Sequence, residues 1–172
     1  LRDPLARPAI ERLINEGPTA FRAPAVQMLA DLPVDPRVNT FLRELLDNED
    51  PSLRVAAYEV LEKINDPFLL RPRGTEDFDV HIVPSGVPTI YVTQQDRPVV
   101  AIFGRNLTIN RPAFASVFDG RLLLNAERTD NRVDLRYRDP LTRRAVRTSI
   151  EPSVIELLRV LSHDATPESL EP

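Results

Sequence analysis

Few side chains in this sequence could carry covalent or acid–base chemistry. There is no Cys, which excludes disulfides, thiolate metal sites and a Cys nucleophile. A nucleophilic triad needs a base, and the only imidazoles are His81 and His163. His81 alternates with Val80 and Ile82, so it faces away from them across a strand, as a solvated or structurally bonded ring. His163 closes an apolar helical run, where an imidazole donor suits the exposed terminal carbonyls. Glu76, Asp77 and Asp79 form the best carboxylate cluster. Paired carboxylates can act as acid and base or hold a cation, and a hydrolase using Asp77 or Asp79 is the catalytic class this cluster would allow. The plainer reading is a solvated hinge. No run matches a calcium loop and no His pair stands at i, i+4. Gly104 and Gly120 are isolated, so no glycine-rich phosphate loop forms. These patterns predict no catalytic residue, no metal and no cofactor, and hence not an enzyme.

The remaining chemistry is cationic. Arg121, Arg128, Arg132, Arg136, Arg138, Arg143, Arg144 and Arg147 fall within 27 residues, against Glu127, Asp130, Asp134 and Asp139. Arg forks suit carboxylates, so this segment reads as an anion-recognising or subunit-contact face. The competing reading is a solvated outer face with cross-strand ion pairs to Asp134 and its neighbours. The net charge of −4 and the scarcity of aromatics argue against nucleic acid, with Tyr91, Phe114 and Tyr137 expected in the core.

The elements that position these residues change character near Gly74. Residues 1–76 carry a net −3, residues 77–150 a net +3 and residues 151–172 a net −4. At 172 residues the chain has room for one compact domain or two small ones, here expected as 1–73 and 74–172. No apolar run is long enough to span a bilayer. The chain opens at Leu1 and its one Met is Met28, which reads as an excised or processed piece.

Within the first part, residues 1–33 overlay residues 33–65 at a shift of 32. Pro4 meets Pro36, Leu13 meets Leu45, Arg22 meets Arg54, Ala25 meets Ala57 and Leu29 meets Leu61. Each copy reads as two helices: Pro4–Glu16 and Thr19–Leu32, then Pro36–Asn48 and Ser52–Ile64. Asp50 before Pro51 is placed to cap the last of these. Pro24 should kink the second helix or delay its start. The stretch Asp50-Pro51-Ser52-Leu53-Arg54-Val55-Ala56-Ala57-Tyr58-Glu59-Val60-Leu61 resembles the inner helix of a HEAT repeat, with Arg54 where such repeats often place an Arg that bonds along the stack. Two repeats rarely stand alone, so either further repeats precede them or the second part caps the stack. Arg54 and Tyr58 are the candidate contact residues of the helical face.

From Asp77 onward the period falls to two. Strands are expected at Phe78–Val83, Thr89–Gln94, Val99–Phe103, Ala113–Phe118, Leu122–Ala126, Arg132–Arg138 and Arg144–Ile150. Asp119-Gly120 between apolar runs signals a hairpin. In the sixth strand Val133, Leu135 and Tyr137 point one way and Arg132, Asp134, Arg136 and Arg138 the other. A last helix near Ser153–Ser162, with Val154, Leu157, Leu158 and Leu161 as its stripe, should cover one face or end, before an acidic tail. The expected fold is α+β: a short HEAT-like repeat, then a small antiparallel β-sandwich or partly open barrel with a C-terminal helix.

Several motifs point further. Val83-Pro84-Ser85, Ile90-Tyr91-Val92-Thr93-Gln94-Gln95, Ile102-Phe103-Gly104, Arg111-Pro112, Arg121-Leu122, Tyr137-Arg138 and Thr166-Pro167 together resemble the C-terminal region of an enlarged form of the flagellar P-ring protein. The resemblance covers about half the chain and implies a structural, non-enzymatic part of the flagellar basal body in the periplasm. It supplies no functional residues; contacts with protein partners, self-assembly into a ring included, are expected instead from the Arg-rich strands, at Arg136, Arg138 and Arg147. The alternative is a general HEAT-repeat scaffold or adaptor that holds a protein partner on its helical face.

Overall fold

The computed structural model describes residues 6–33, 35–71, 78–94, 97–138 and 144–162. Four helices open the chain: α1 (Ala6–Glu16), α2 (Thr19–Met28, prolonged by a 3-10 turn Leu29–Asp31), α3 (Pro36–Leu45) and α4 (Pro51–Lys63). The starts of α3 and α4 follow one rule. Asp35 and Asp50 each precede a Pro, and each carboxylate accepts from the backbone N–H two residues on, Arg37 and Ser52, at 2.9 Å. Pro24 neither delays α2 nor ends it, since the helix begins at Thr19 and runs through it. The end of α4 is a Schellman motif: Asn65 takes φ 55°, its N–H bonds the Glu62 carbonyl, and Asp66 N–H bonds that of Leu61.

Ile10, Ile14, Ala25, Val26, Leu29, Val38, Leu42, Leu45 and Leu46 form the helical core with Leu53, Ala57, Val60 and Leu61 of α4. The turn after α4 is locked to α3. Asp66, with no side-chain exposure, accepts from Arg43 at 2.8 and 2.9 Å, from Asn39 at 2.9 Å and from the Phe68 N–H at 2.9 Å. The Arg43 guanidinium also lies 5.1 Å over the Phe68 ring.

Seven strands follow: β1 (Asp79–Val83), β2 (Thr89–Thr93), β3 (Val99–Phe103), β4 (Ala113–Val117), β5 (Leu122–Ala126), β6 (Val133–Arg138) and β7 (Ala145–Ile150). Helix α5 spans Val154–Ser162. The architecture is α+β, as the change of period implies. The strands make two separate sheets, ordered β1-β3-β2 and β4-β5-β6-β7, and neither closes into a barrel. The second sheet is antiparallel throughout, but in the first β3 lies between β1 and β2 and runs parallel to β1. The Pro84-Ser85-Gly86 corner therefore joins two strands that do not pair. It is tied instead to the α3–α4 turn, where Ser85 Oγ donates to the Leu46 carbonyl and Gly86 N–H to Asp47 Oδ1.

The two compact units divide near residue 105 rather than at the change of texture near Gly74. The first unit holds the four helices together with β1–β3, so the expected 74–172 module is shared between units. The reason lies in α4, whose buried residues Leu53, Arg54, Ala56, Ala57, Tyr58, Val60 and Leu61 cover more than half of its circumference, too wide an arc for the neighbouring helices alone. Helices α2 and α3 cover one side, and Val83, Ala101 and Phe103 of the sheet join the same core.

The second unit is a one-faced sheet. Ala126, Val133, Leu135 and Ile150 are buried against Leu157 and Val160 of α5. Val160 takes the place expected of Leu161, which is 41% exposed. The β4–β5 hairpin turns through Phe118, Asp119 and Gly120, with φ of 53°, 56° and 77° and the Arg121 N–H bonded to the Phe118 carbonyl. Val117 pairs with Leu122, so four residues make the turn, and positive φ at its two central positions is the sign that Asp-Gly favours.

Replacing Asp66 by Asn leaves a buried amide where Arg43 needs an acceptor. Asp66→Asn is expected to lower stability by about 2 kcal/mol, since the partly exposed Arg43 can rehydrate. The urea midpoint with an unchanged slope reads this directly, and a midpoint equal to the parent's would refute the lock.

Candidate protein-contact site

The inner helices of the two repeats, α2 and α4, lie side by side and leave an open groove. It has a volume of about 750 Å³, and Ala23, Pro24, Gln27, Pro51, Ser52, Val55, Ala56 and Glu59 line it. Its floor is pinned by a ladder at the repeat spacing. Gln27 Nε2 donates to Glu59 Oε2 at 2.7 Å, and Tyr91 of β2 donates to Glu59 Oε1 at 2.7 Å. Gln27 and Glu59 are equivalent under the 32-residue shift, a signal present in the sequence but not drawn from it. The acceptor Glu59 and partial burial push the Tyr91 phenol up to about 12. On α2, Phe21 shares the face of Pro24 by helical spacing and is 60% exposed.

Arg54 and Tyr58, the residues expected to meet a partner on the helical face, are buried instead and act inside the unit. Arg54 Nη1 donates to the carbonyls of Asn48 and Glu49 at 2.7 and 3.0 Å, and Nη2 donates to Thr89 Oγ1 at 2.9 Å. Its Nε is buried without a partner. Arg22, its equivalent in the first repeat, donates from Nε to the Ile14 carbonyl at 2.5 Å. Both therefore satisfy carbonyls at or just beyond the end of the preceding helix, which that helix cannot pair itself. Arg54 adds a bond to the sheet that Arg22 has no strand to match.

Tyr58 sits at the centre of an aromatic cluster. Its ring meets those of His81, Tyr91 and Phe103 edge-on at 5.8 to 6.0 Å, and its Oη lies 2.7 Å from His81 Nδ1. Burial pushes its phenol well above the usual range. His81 is 5% exposed, so of the two roles open to it the structural one holds. Burial holds the ring below the ordinary imidazole range; the Arg71 cation adds to this, and Glu62 and Asp79 oppose it. Asp79 pairs with Arg97 at 2.9 Å. Glu76, Asp77 and His163 lie outside the described residues. Among the described residues no cluster of three His, Asp or Glu could hold a metal ion, and no helix is long and apolar enough to cross a membrane.

The other three candidates lie together on the outer face of the second sheet. Arg136, Arg138 and Arg147 are all exposed. Arg136 stands directly opposite Arg147 across β6 and β7, while Asp134 stands opposite Asn125 and Ser149. The register thus denies these arginines the cross-strand ion pairs expected with Asp134. None of the three makes an ion pair with a described residue. Arg132 bonds Ser149 through Nε at 2.9 Å and through Nη2 to its carbonyl. Phe114, expected in the core, lies on this face and is 72% exposed, because β4 is an edge strand.

Residues 6–72 match the family model for HEAT repeats. The match spans α1 to α4, so the helical part is a HEAT-like repeat pair, and the groove runs between its inner helices. No curated protein and no solved structure matches the chain.

A buried base with a depressed pKa takes up its proton more readily in the unfolded chain. Stability linked to His81 is therefore complete above its usual 6.5 and is lost as the pH falls through that value towards the folded one. His81→Asn keeps an acceptor for Tyr58 and removes the titration. Chemical denaturation between about pH 7.5 and about pH 5 should show a shallower fall for the variant. An equal fall would assign the titration to another group.

Proposed function

We propose that this chain is a non-catalytic contact module in which the HEAT-like pair holds a protein partner along the α2–α4 groove. The observation that carries the reading is the groove itself, an apolar trough between equivalent helices of successive repeats. HEAT repeats commonly mediate protein interactions. The reading is also supported by the placement of the chemistry-capable residues. His81 is committed to Tyr58 and Asp79 to Arg97, and both pairs knit the fold.

A narrower reading rests on the sequence motifs between Val83 and Pro167. It makes the chain an assembly segment of a P-ring-like protein in the periplasm, engaging further copies or basal-body neighbours. The order of a helical repeat followed by a β module favours it. Under that reading the Arg136, Arg138 and Arg147 face joins the groove as a contact surface.

The test uses a photocrosslinking residue at Ser52 on the groove rim, with the protein expressed in its own cells. A discrete protein adduct is expected, and Val55→Arg should reduce it about tenfold or more by filling the trough with a charge, while leaving the melting temperature unchanged. Equal adducts with and without Arg at position 55 would remove the groove from consideration. Adducts to a second copy or a basal-body protein would favour the narrower reading over a general scaffold.

A further inference from the structure

We propose that the outer face of the β4–β7 sheet is a binding site for an acidic polypeptide segment that also carries an apolar side chain. Three observations on one face carry this. First, Arg136 and Arg147 are register partners, so their Cβ atoms stand about 5 Å apart and both guanidinium forks can close on one carboxylate. Second, like charges set directly opposite each other destabilise a sheet, and neither member of this pair forms an ion pair with a described residue. Arg138 adds a third cation along β6. Third, the depression beside them, of about 720 Å³, has Phe114 and Leu123 in its lining together with Asn125 and Ser149. Phe114 presents most of its ring to solvent there.

Charge and shape together choose the partner class. A bare polyanion would use the arginines but leave Phe114 and Leu123 unpaired. Asp134, the acid in this lining, stands two residues from Arg136 along β6, which suits a ligand with spaced carboxylates and works against the continuous charge of a nucleic-acid backbone. An extended acidic peptide can place a carboxylate between Arg136 and Arg147 and an apolar side chain against Phe114. This goes beyond the groove reading and does not depend on it, since the residues belong to the other compact unit.

The test titrates the whole chain with a fluorescent synthetic peptide of alternating Glu and Leu, with hexaglutamate and oligo-dT as comparison probes. Saturable binding of the Glu-Leu peptide is expected, weakening as salt rises, with hexaglutamate weaker because nothing meets Phe114. Arg147→Thr should lower affinity about tenfold. It should also raise the melting temperature, because the like-charge pair is gone, so lost binding cannot be lost folding. Phe114→Ser should weaken the Glu-Leu peptide and leave hexaglutamate unchanged. Val55→Arg in the helical groove should change neither, which separates this site from the groove reading. Absence of saturable peptide binding, equal binding by Arg147→Thr, or tighter binding of oligo-dT than of the peptide would each overturn the proposal.

Discussion

Helix α4 buries more than half of its circumference, and the first unit is built to satisfy that constraint. A buried arc that wide needs cover from more than one layer, and two repeats supply neighbours for only part of it. The mixed sheet β1-β3-β2 encloses the other side, where a third repeat would otherwise stack. The junction is more than apolar contact. Arg54 reaches Thr89, Tyr58 reaches His81, and Glu59 is shared between Gln27 on α2 and Tyr91 on β2. Three residues of one helix, Arg54, Tyr58 and Glu59, thus carry the polar side of the cap, each with a defined partner.

Enclosure also decides what is left to recognise a partner. With Arg54 and Tyr58 turned inward, the stripe through Ser52, Val55 and Glu59 is the part of α4 that borders the groove with α2. Glu59 holds the groove's floor and the sheet at once, so groove shape and cap are mechanically one feature. The unpaired Arg54 Nε is the one polar loose end in this arrangement among the described residues.

The second unit follows a simpler rule. One face of β4–β7 packs on α5 and the other does not, so alternation along each strand sorts its side chains. Sorting alone does not set who stands opposite whom. That is a property of two strands together, and here it sets Arg against Arg and Asp against Ser and Asn. An outer face that composition suggests is laced with ion pairs is instead one where Arg136, Arg138 and Arg147 pair with no described acid, beside an exposed ring.

Much of the local structure was legible in the sequence because it depends on near neighbours. The strands lie within a residue or so of where alternation puts them, and helical spacing marks α1 to α5. The Asp50–Pro51 cap, the Asp119-Gly120 hairpin and the outward set of β6 are written in residues within a few positions of one another. The 32-residue repeat was equally plain, since it compares the chain with itself. The tertiary structure alone decided that β1–β3 belong with the helices, that β3 enters between β1 and β2, and that Arg54 and Tyr58 are internal while Phe114 is not. The physical reason is common to all of these. Periodicity reports which face of an element avoids water, but the neighbour that covers the face, and the residue it sets opposite, are fixed only when distant segments meet.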